Sequence, residues 1–275
     1  MTFIEKVQRA ISKKNSNVCV GLDTDIEKIP SFLKQEENPM LEFNKKIIDH
    51  TKENVCAYKL NMAFYEASGD LGMKALQETV EYIPEDIVTV IDAKRGDIGN
   101  TSKLYAKAIF DIIGGDCITV NPYMGYDSIE PFLDFEGKGI FLLCLTSNAG
   151  SSDFQKTPLV SGNPLYIEVA ERIVEWSERH PGKIGMVVGA THPEDLKRLR
   201  DKAPSLPFLI PGIGAQKGDL KATVEAGIGK DKAPALINSS RGIIYSSSDK
   251  DFAEAAGATC GKLKEEINSV LSSIA

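Results

Sequence analysis

The chain predicts an α/β fold, a single (β/α)8 TIM barrel, on three observations. Eight short apolar runs alternate with segments of helical period, which implies parallel strands joined by right-handed crossovers. The ends of those runs supply polar, charged or glycine-rich residues, the composition of a functional rim. The 275 residues suit one such barrel, which typically takes about 250. No shift of composition marks a second domain, so 1–275 reads as one unit.

The elements follow in order. Phe3, Val7, Ala10 and Ile11 recur at helical spacing and predict a short helix over 2–13 that covers the bottom of the fold. The first strand, 18–22, ends at Asp23. Phe43, Ile47 and Ile48 share one face of a helix over 41–53. The second strand, 55–61, places Lys59 and Asn61 two residues apart and so on one face. A helix over 70–82 leads to the third strand, 87–91, which runs into Asp92-Ala-Lys94-Arg-Gly-Asp97. Gly96 lets the chain turn. Asn100 and Thr101 then offer caps for a helix reaching Ile113, stopped by Gly114 and Gly115. The fourth strand, 117–121, is stopped by Pro122, and the fifth, 139–145, ends at Thr146-Ser147-Asn148. The turn-rich stretch 151–164 reads as an irregular loop. A helix over 165–178 has Ile167, Ala170 and Val174 on one face. The sixth, seventh and eighth strands, 184–189, 206–210 and 235–239, end at Thr191, at Gly212-Ile-Gly-Ala-Gln216 and at Ser240-Arg241-Gly242. A helix over 252–271 closes the chain.

The net charge of −7 and the lack of a long basic run argue against nucleic-acid or membrane-surface binding. No apolar stretch is long enough to span a bilayer, and the N-terminus has no signal-peptide core. Five cysteines, an odd number with no CxxC spacing and four in or beside strands, read as reduced core thiols of a cytoplasmic protein rather than a disulfide or zinc site.

The site belongs at the C-terminal ends of the strands. Asp23, Asn121 or Thr191 alone reads as a loop residue or a cap. Lys59 and Lys94 are different: each lies in or directly after an apolar run, a buried lysine needs a partner, and Asp92 is the obvious one. Two acids and a base thus gather at the turn after the third strand. The glycine-rich turn at Gly212 and the segment Ser240-Arg241-Gly242 follow the last two strands, where barrels hold phosphate on loop N–H groups. Arg241 adds a planar fork for phosphate oxygens.

The motif Asp92-x-Lys94-x-x-Asp97-Ile-Gly-x-Thr101 resembles the signature of orotidine 5′-phosphate decarboxylases. The resemblance extends along the chain through Gly-Leu-Asp23, Tyr-Lys59-Leu-Asn61, Asn121-Pro-Tyr-Met-Gly, Thr-Ser147-Asn, Val-Gly-Ala-Thr191, Pro-Gly-Ile-Gly-Ala-Gln216 and Ser-Ser-Arg241-Gly. The loop after Ser147 resembles the longer bacterial branch. Lys217 departs from it, standing where a glycine is expected. The resemblance implies conversion of orotidine 5′-phosphate to uridine 5′-phosphate and CO2 in pyrimidine biosynthesis, with no cofactor and no metal. By the same resemblance Lys94 is the proton donor, flanked by Asp92 and Asp97, with Lys59 completing the charge array. Asp23, Lys59 and Asn61 hold the ribose, and Ser147 touches the pyrimidine. Gln216 and Arg241 hold the phosphate with the backbones of Gly212 and Gly242, and the loop 214–218 closes over it. Asp97 and Thr101 reach into the neighbouring subunit of a homodimer with shared active sites. Thr191 is counted among the substrate-binding positions.

Two other readings compete. A magnesium-dependent sugar-phosphate decarboxylase or aldolase of the same superfamily shares the third-strand motif, but draws a metal ligand from the second strand, where Lys59 would repel a cation. A barrel that only binds nucleotides has no use for Lys94 embedded between two acids.

Overall fold

The computed structural model describes residues 1–213, 219–229 and 232–274. Eight strands close into a parallel barrel in sequence order: β1 Val18–Gly21, β2 Ala57–Asn61, β3 Val88–Arg95, β4 Cys117–Val120, β5 Gly139–Leu145, β6 Ile184–Val188, β7 Phe208–Pro211 and β8 Ala235–Ser239. The last pairing joins β8 to β1, with Cys19 opposite Asn238. The predicted (β/α)8 architecture is the observed one.

Strand alternation divides the core in two. Inward-facing Cys19, Ala57, Val88, Val90, Cys117, Phe141, Val187, Leu209 and Leu236 pack with Phe3, Val7 and Ala10 inside the barrel. Their outward neighbours, such as Val18, Val20, Ile91, Ile118 and Ile237, pack against the surrounding helices. The first helix, Phe3–Lys14, begins with a capping box between Thr2 and Glu5 and plugs the bottom as expected. Phe3 stands edge-on to Phe141 with ring centroids 5.5 Å apart. Gly139 makes room for it, since a Cβ there would lie 2.1 Å from the Phe3 ring. One inward step above this apolar layer the same parity brings up Lys59, Asp92, Thr119 and Asn238.

Three local expectations are corrected. The helix after β3 starts at Gly99 and is Gly99–Lys107, with Ile98 as its cap residue and no side-chain cap. Asn100 and Thr101 are therefore in its first turn, because Gly99 at φ +50 turns the chain into the helix before either can cap it. Its continuation, Ala108–Ile113, widens to a π-helix before Gly114 at φ +84 ends it. The stretch 151–164 is not irregular throughout: Ser151–Phe154 forms a helical turn, and Pro158 bridges Pro164. β3 also runs beyond Ile91 to Arg95.

All five cysteines are buried free thiols. No helix among the described residues is long and apolar enough to cross a membrane.

Candidate active site

At the C-terminal mouth of the barrel lies a cavity of about 430 Å³, walled by Asp23, Lys59, Asn61, Asp92, Lys94, Ser147, Gly212, Arg241 and Gly242. Nine of the thirteen residues singled out in the sequence meet there. Four charges alternate across three adjacent strands. Lys59 Nζ lies 3.1 Å from Asp23 Oδ1 and 3.3 Å from Asp92 Oδ2, and Lys94 Nζ lies 2.7 Å from Asp92 Oδ1.

Burial of Lys59 disfavours its ammonium, yet the carboxylates of Asp23 and Asp92 outweigh this and raise its pKa above the ordinary lysine value. Burial likewise disfavours the Asp92 carboxylate, but Lys59, Lys94 and the hydrogen bonds of Lys94 and Thr119 hold its pKa down to about 2. Both groups are charged at neutral pH. Lys94 corrects an expectation: only Lys59 is buried, while the Lys94 side chain is 51% exposed and faces the cavity.

A bulge delivers Lys94. Ile91 pairs with Ile118, but Arg95 pairs with Val120, so four steps along β3 match two along β4. Bulges of this kind re-aim side chains beside active sites. The cost is a left-handed backbone at Lys94, φ +47, about 1–2 kcal/mol for a residue with a Cβ. The Lys94 N–H donates to Thr119 Oγ1 at 2.9 Å, and Thr119 Oγ1 donates to Asp92 Oδ1 at 2.8 Å.

Other contacts steady the rim. Tyr65 Oη donates to the Leu22 carbonyl at 2.8 Å, and Tyr245 Oη donates to the Asp23 carbonyl at 3.2 Å while accepting from Asp25 N–H at 2.7 Å. Together they fix the end of β1. Thr146 N–H donates to Gln155 Oε1 at 2.8 Å, tying the segment that carries Ser147 to the long loop.

The remaining candidates fall elsewhere. Thr191 does not line the cavity; its hydroxyl sits 3.4 Å from the Ser147 carbonyl, a support for Ser147. Asp97 does not line the cavity, and its Oδ1 accepts from Ile98 N–H at 2.8 Å. It makes no ion pair with Lys94 among the described residues, so the two acids expected to cluster within one chain are separated. Thr101 is exposed on the helix. Gln216 and Lys217, with the loop 214–218, lie outside the described residues. Sequence reasoning missed Thr119, Asn148 and Asn238, which also line the cavity, as does Ser240 of the predicted phosphate segment. Thr119 and Asn238 carried a signal: each is the polar residue at an inward position of an apolar strand.

With this geometry in place, comparison with known proteins is informative. Residues 16–256 match the family described as Orotidine 5'-phosphate decarboxylase / HUMPS. An orotidine 5'-phosphate decarboxylase of Dehalococcoides mccartyi (strain CBDB1) is 50% identical over 271 residues, covering 98% of each chain. One from Halobacterium salinarum is 44% identical, covering 98% of this chain and 99% of its own. The solved structure of Leishmania donovani OMP decarboxylase superposes with a TM-score of 0.84 at 39% identity, covering 99% of this chain and 100% of that one.

Proposed function

Because the chain belongs to the orotidine 5′-phosphate decarboxylase / HUMPS family, we propose that it is a carboxy-lyase converting orotidine 5′-phosphate to uridine 5′-phosphate and CO2, a step of pyrimidine biosynthesis. The whole chain, 1–275, acts as one decarboxylase domain. The observation that carries the reading is the alternating row Asp23–Lys59–Asp92–Lys94 at the cavity mouth.

The chemistry follows from that row. Breaking the bond from C6 to the carboxylate leaves an electron pair on C6. The half-exposed ammonium of Lys94 stabilises the charge as it develops and then donates a proton to C6. Asp92 aims that ammonium through its 2.7 Å contact. Lys59 keeps Asp92 ionised and with Asp23 presents partners for ribose hydroxyls, beside Asn61. Ser147 faces the pyrimidine. Arg241, at the start of the helical turn Arg241–Ile244, takes the phosphate with the N–H groups of Gly212 and Gly242; Gln216 is assigned to the same anion. The protein acts in the cytoplasm.

The active unit is a homodimer in which Asp97 and Thr101 complete the partner's site. Support comes from Asp97 standing off its own cavity, and from Ile98 at 53% and Leu104 at 59% exposure, which leave apolar surface beside it. The reaction needs no metal or cofactor. Against the magnesium-dependent alternative stands Lys59, an ammonium 3.3 Å from Asp92 that would repel a divalent cation from that carboxylate. The test is the loss of ultraviolet absorbance from orotidine 5′-phosphate with excess EDTA present. Undiminished turnover is expected; no turnover, or turnover abolished by the chelator, overturns the reading.

A further inference from the structure

We propose that Thr119 is a positioning residue for the decarboxylation: one hydroxyl holds the Lys94 backbone and the Asp92 carboxylate as a single unit. The inference rests on the assignment of Lys94 and Asp92 to the chemistry above. Four residues of β3 span two of β4 between Ile91 and Arg95, so Lys94 falls outside the regular ladder and its N–H needs another acceptor. Thr119 Oγ1 supplies it at 2.9 Å.

The direction of both bonds is fixed by chemistry. Ionised Asp92 can only accept, so the single hydroxyl proton of Thr119 goes to Oδ1, at 2.8 Å, and a lone pair is left for the Lys94 N–H. The Lys94 ammonium reaches the same Oδ1 at 2.7 Å. The three residues therefore close a ring of four groups: backbone N–H of Lys94, hydroxyl of Thr119, carboxylate of Asp92, ammonium of Lys94. Thr119 is 1% exposed, so its hydroxyl is largely shielded from solvent. A left-handed lysine persists only where its surroundings over-determine it, and Thr119 is the polar side chain that does so from β4.

A filler threonine and a positioning threonine differ in what their loss changes. Thr119→Val keeps the shape and the β-branch but removes both bonds. Thr119→Ser keeps both bonds and removes a methyl. The experiment measures kcat for orotidine 5′-phosphate, Kd for uridine 5′-phosphate and thermal unfolding in wild type and both variants. Thr119→Val is expected to lower kcat roughly 10- to 100-fold, as for loss of a hydrogen bond to a charged group, with the Kd for the nucleotide within about threefold. Thr119→Ser is expected to recover most of kcat. If Thr119→Val fails to fold, Thr119→Cys, similar in size with a weakly bonding thiol, replaces it. The proposal is overturned if kcat survives loss of the hydroxyl, if Ser is as impaired as Val, or if nucleotide affinity falls in step with kcat. Absence of turnover in wild type would instead refute the proposed function.

Discussion

Lys59 Nζ lies 3.3 Å from Asp92 Oδ2, one strand away, with both side chains largely buried. Each charge is tolerable in the barrel only because of the other and of Asp23 beyond it, since removing one partner of a buried pair leaves an uncompensated ion.

The first prediction concerns acid stability. The Asp92 pKa is lowered from 3.8 to about 2. A carboxylate lowered on folding contributes stability that is fully present above its unfolded value and lost as the pH falls through its folded value. A fall of that size corresponds to about 2 kcal/mol. Asp92→Asn is therefore expected to be less stable than wild type at pH 7, with the gap narrowing by about 2 kcal/mol between pH 4 and pH 2. Urea unfolding at a series of pH values measures it. A gap independent of pH would show that Asp92 is not ionised against Lys59.

Lys94→Ala tests the proton donor. The ammonium is half exposed and held by Asp92 rather than by the core, so its removal is expected to leave the fold intact. Turnover should fall at least about 100-fold, the low end for a positioned proton donor, while uridine 5′-phosphate still binds by calorimetry. Retained turnover would assign the proton to another group.

How much of this was legible follows from what a period of two can encode. The strand parity that makes Ala57 and Val90 core residues also brings Lys59 and Asp92 inward, so the row of charges could be read from the chain. The bulge could not, because alternation carries no information on register slips between strands. The inward position of Thr119 was legible but its role was not: threonine is a common strand residue, and the role exists only because Lys94 has left the ladder. Asp97 was only partly legible: closeness in sequence suggested a cluster with Lys94 in the same chain, whereas among the described residues it neither pairs with Lys94 nor lines the cavity.

Arg200 was illegible for a different reason, and it supplies the third prediction. The helix Pro193–Lys202 carries Lys197, Arg198, Arg200 and Lys202, and nothing in the sequence separates them. In the fold Arg200 is 7% exposed. It donates to the carbonyls of Gly227, Ala203, Leu206 and Pro234 at 2.7–3.1 Å and stacks 3.5 Å from the Phe208 ring centre. The planar fork binds the helix to the approaches of β7 and β8. Lysine cannot reproduce it, so Arg200→Lys is expected to lose about 2–4 kcal/mol of stability, the consequence of buried carbonyls left unpaired. Chemical denaturation reads the loss; stability within 0.5 kcal/mol of wild type, roughly the range of a surface substitution, would mean that the carbonyls find other donors.

The fourth prediction asks whether Asp97 acts across a subunit boundary. Within its own chain Asp97 does not line the cavity and accepts from Ile98 N–H, so the proposed role in the reaction calls for a second copy. A Lys94→Ala homodimer lacks the proton donor in both sites, and an Asp97→Ala homodimer lacks the acid in both. A hybrid of the two has one site missing both groups and one site with both, the Lys94 of one subunit meeting the Asp97 of the other. Random exchange in an equal mixture makes half the dimers hybrids, each with one intact site in two, so activity should rise to about a quarter of wild type. Exchange is followed independently by mass spectrometry of subunits of different isotopic mass. Recovery near that fraction places Asp97 in the partner's site. Complete exchange without recovery would confine the chemistry to Asp92, Lys59 and Lys94 of one chain and remove Asp97 from the mechanism.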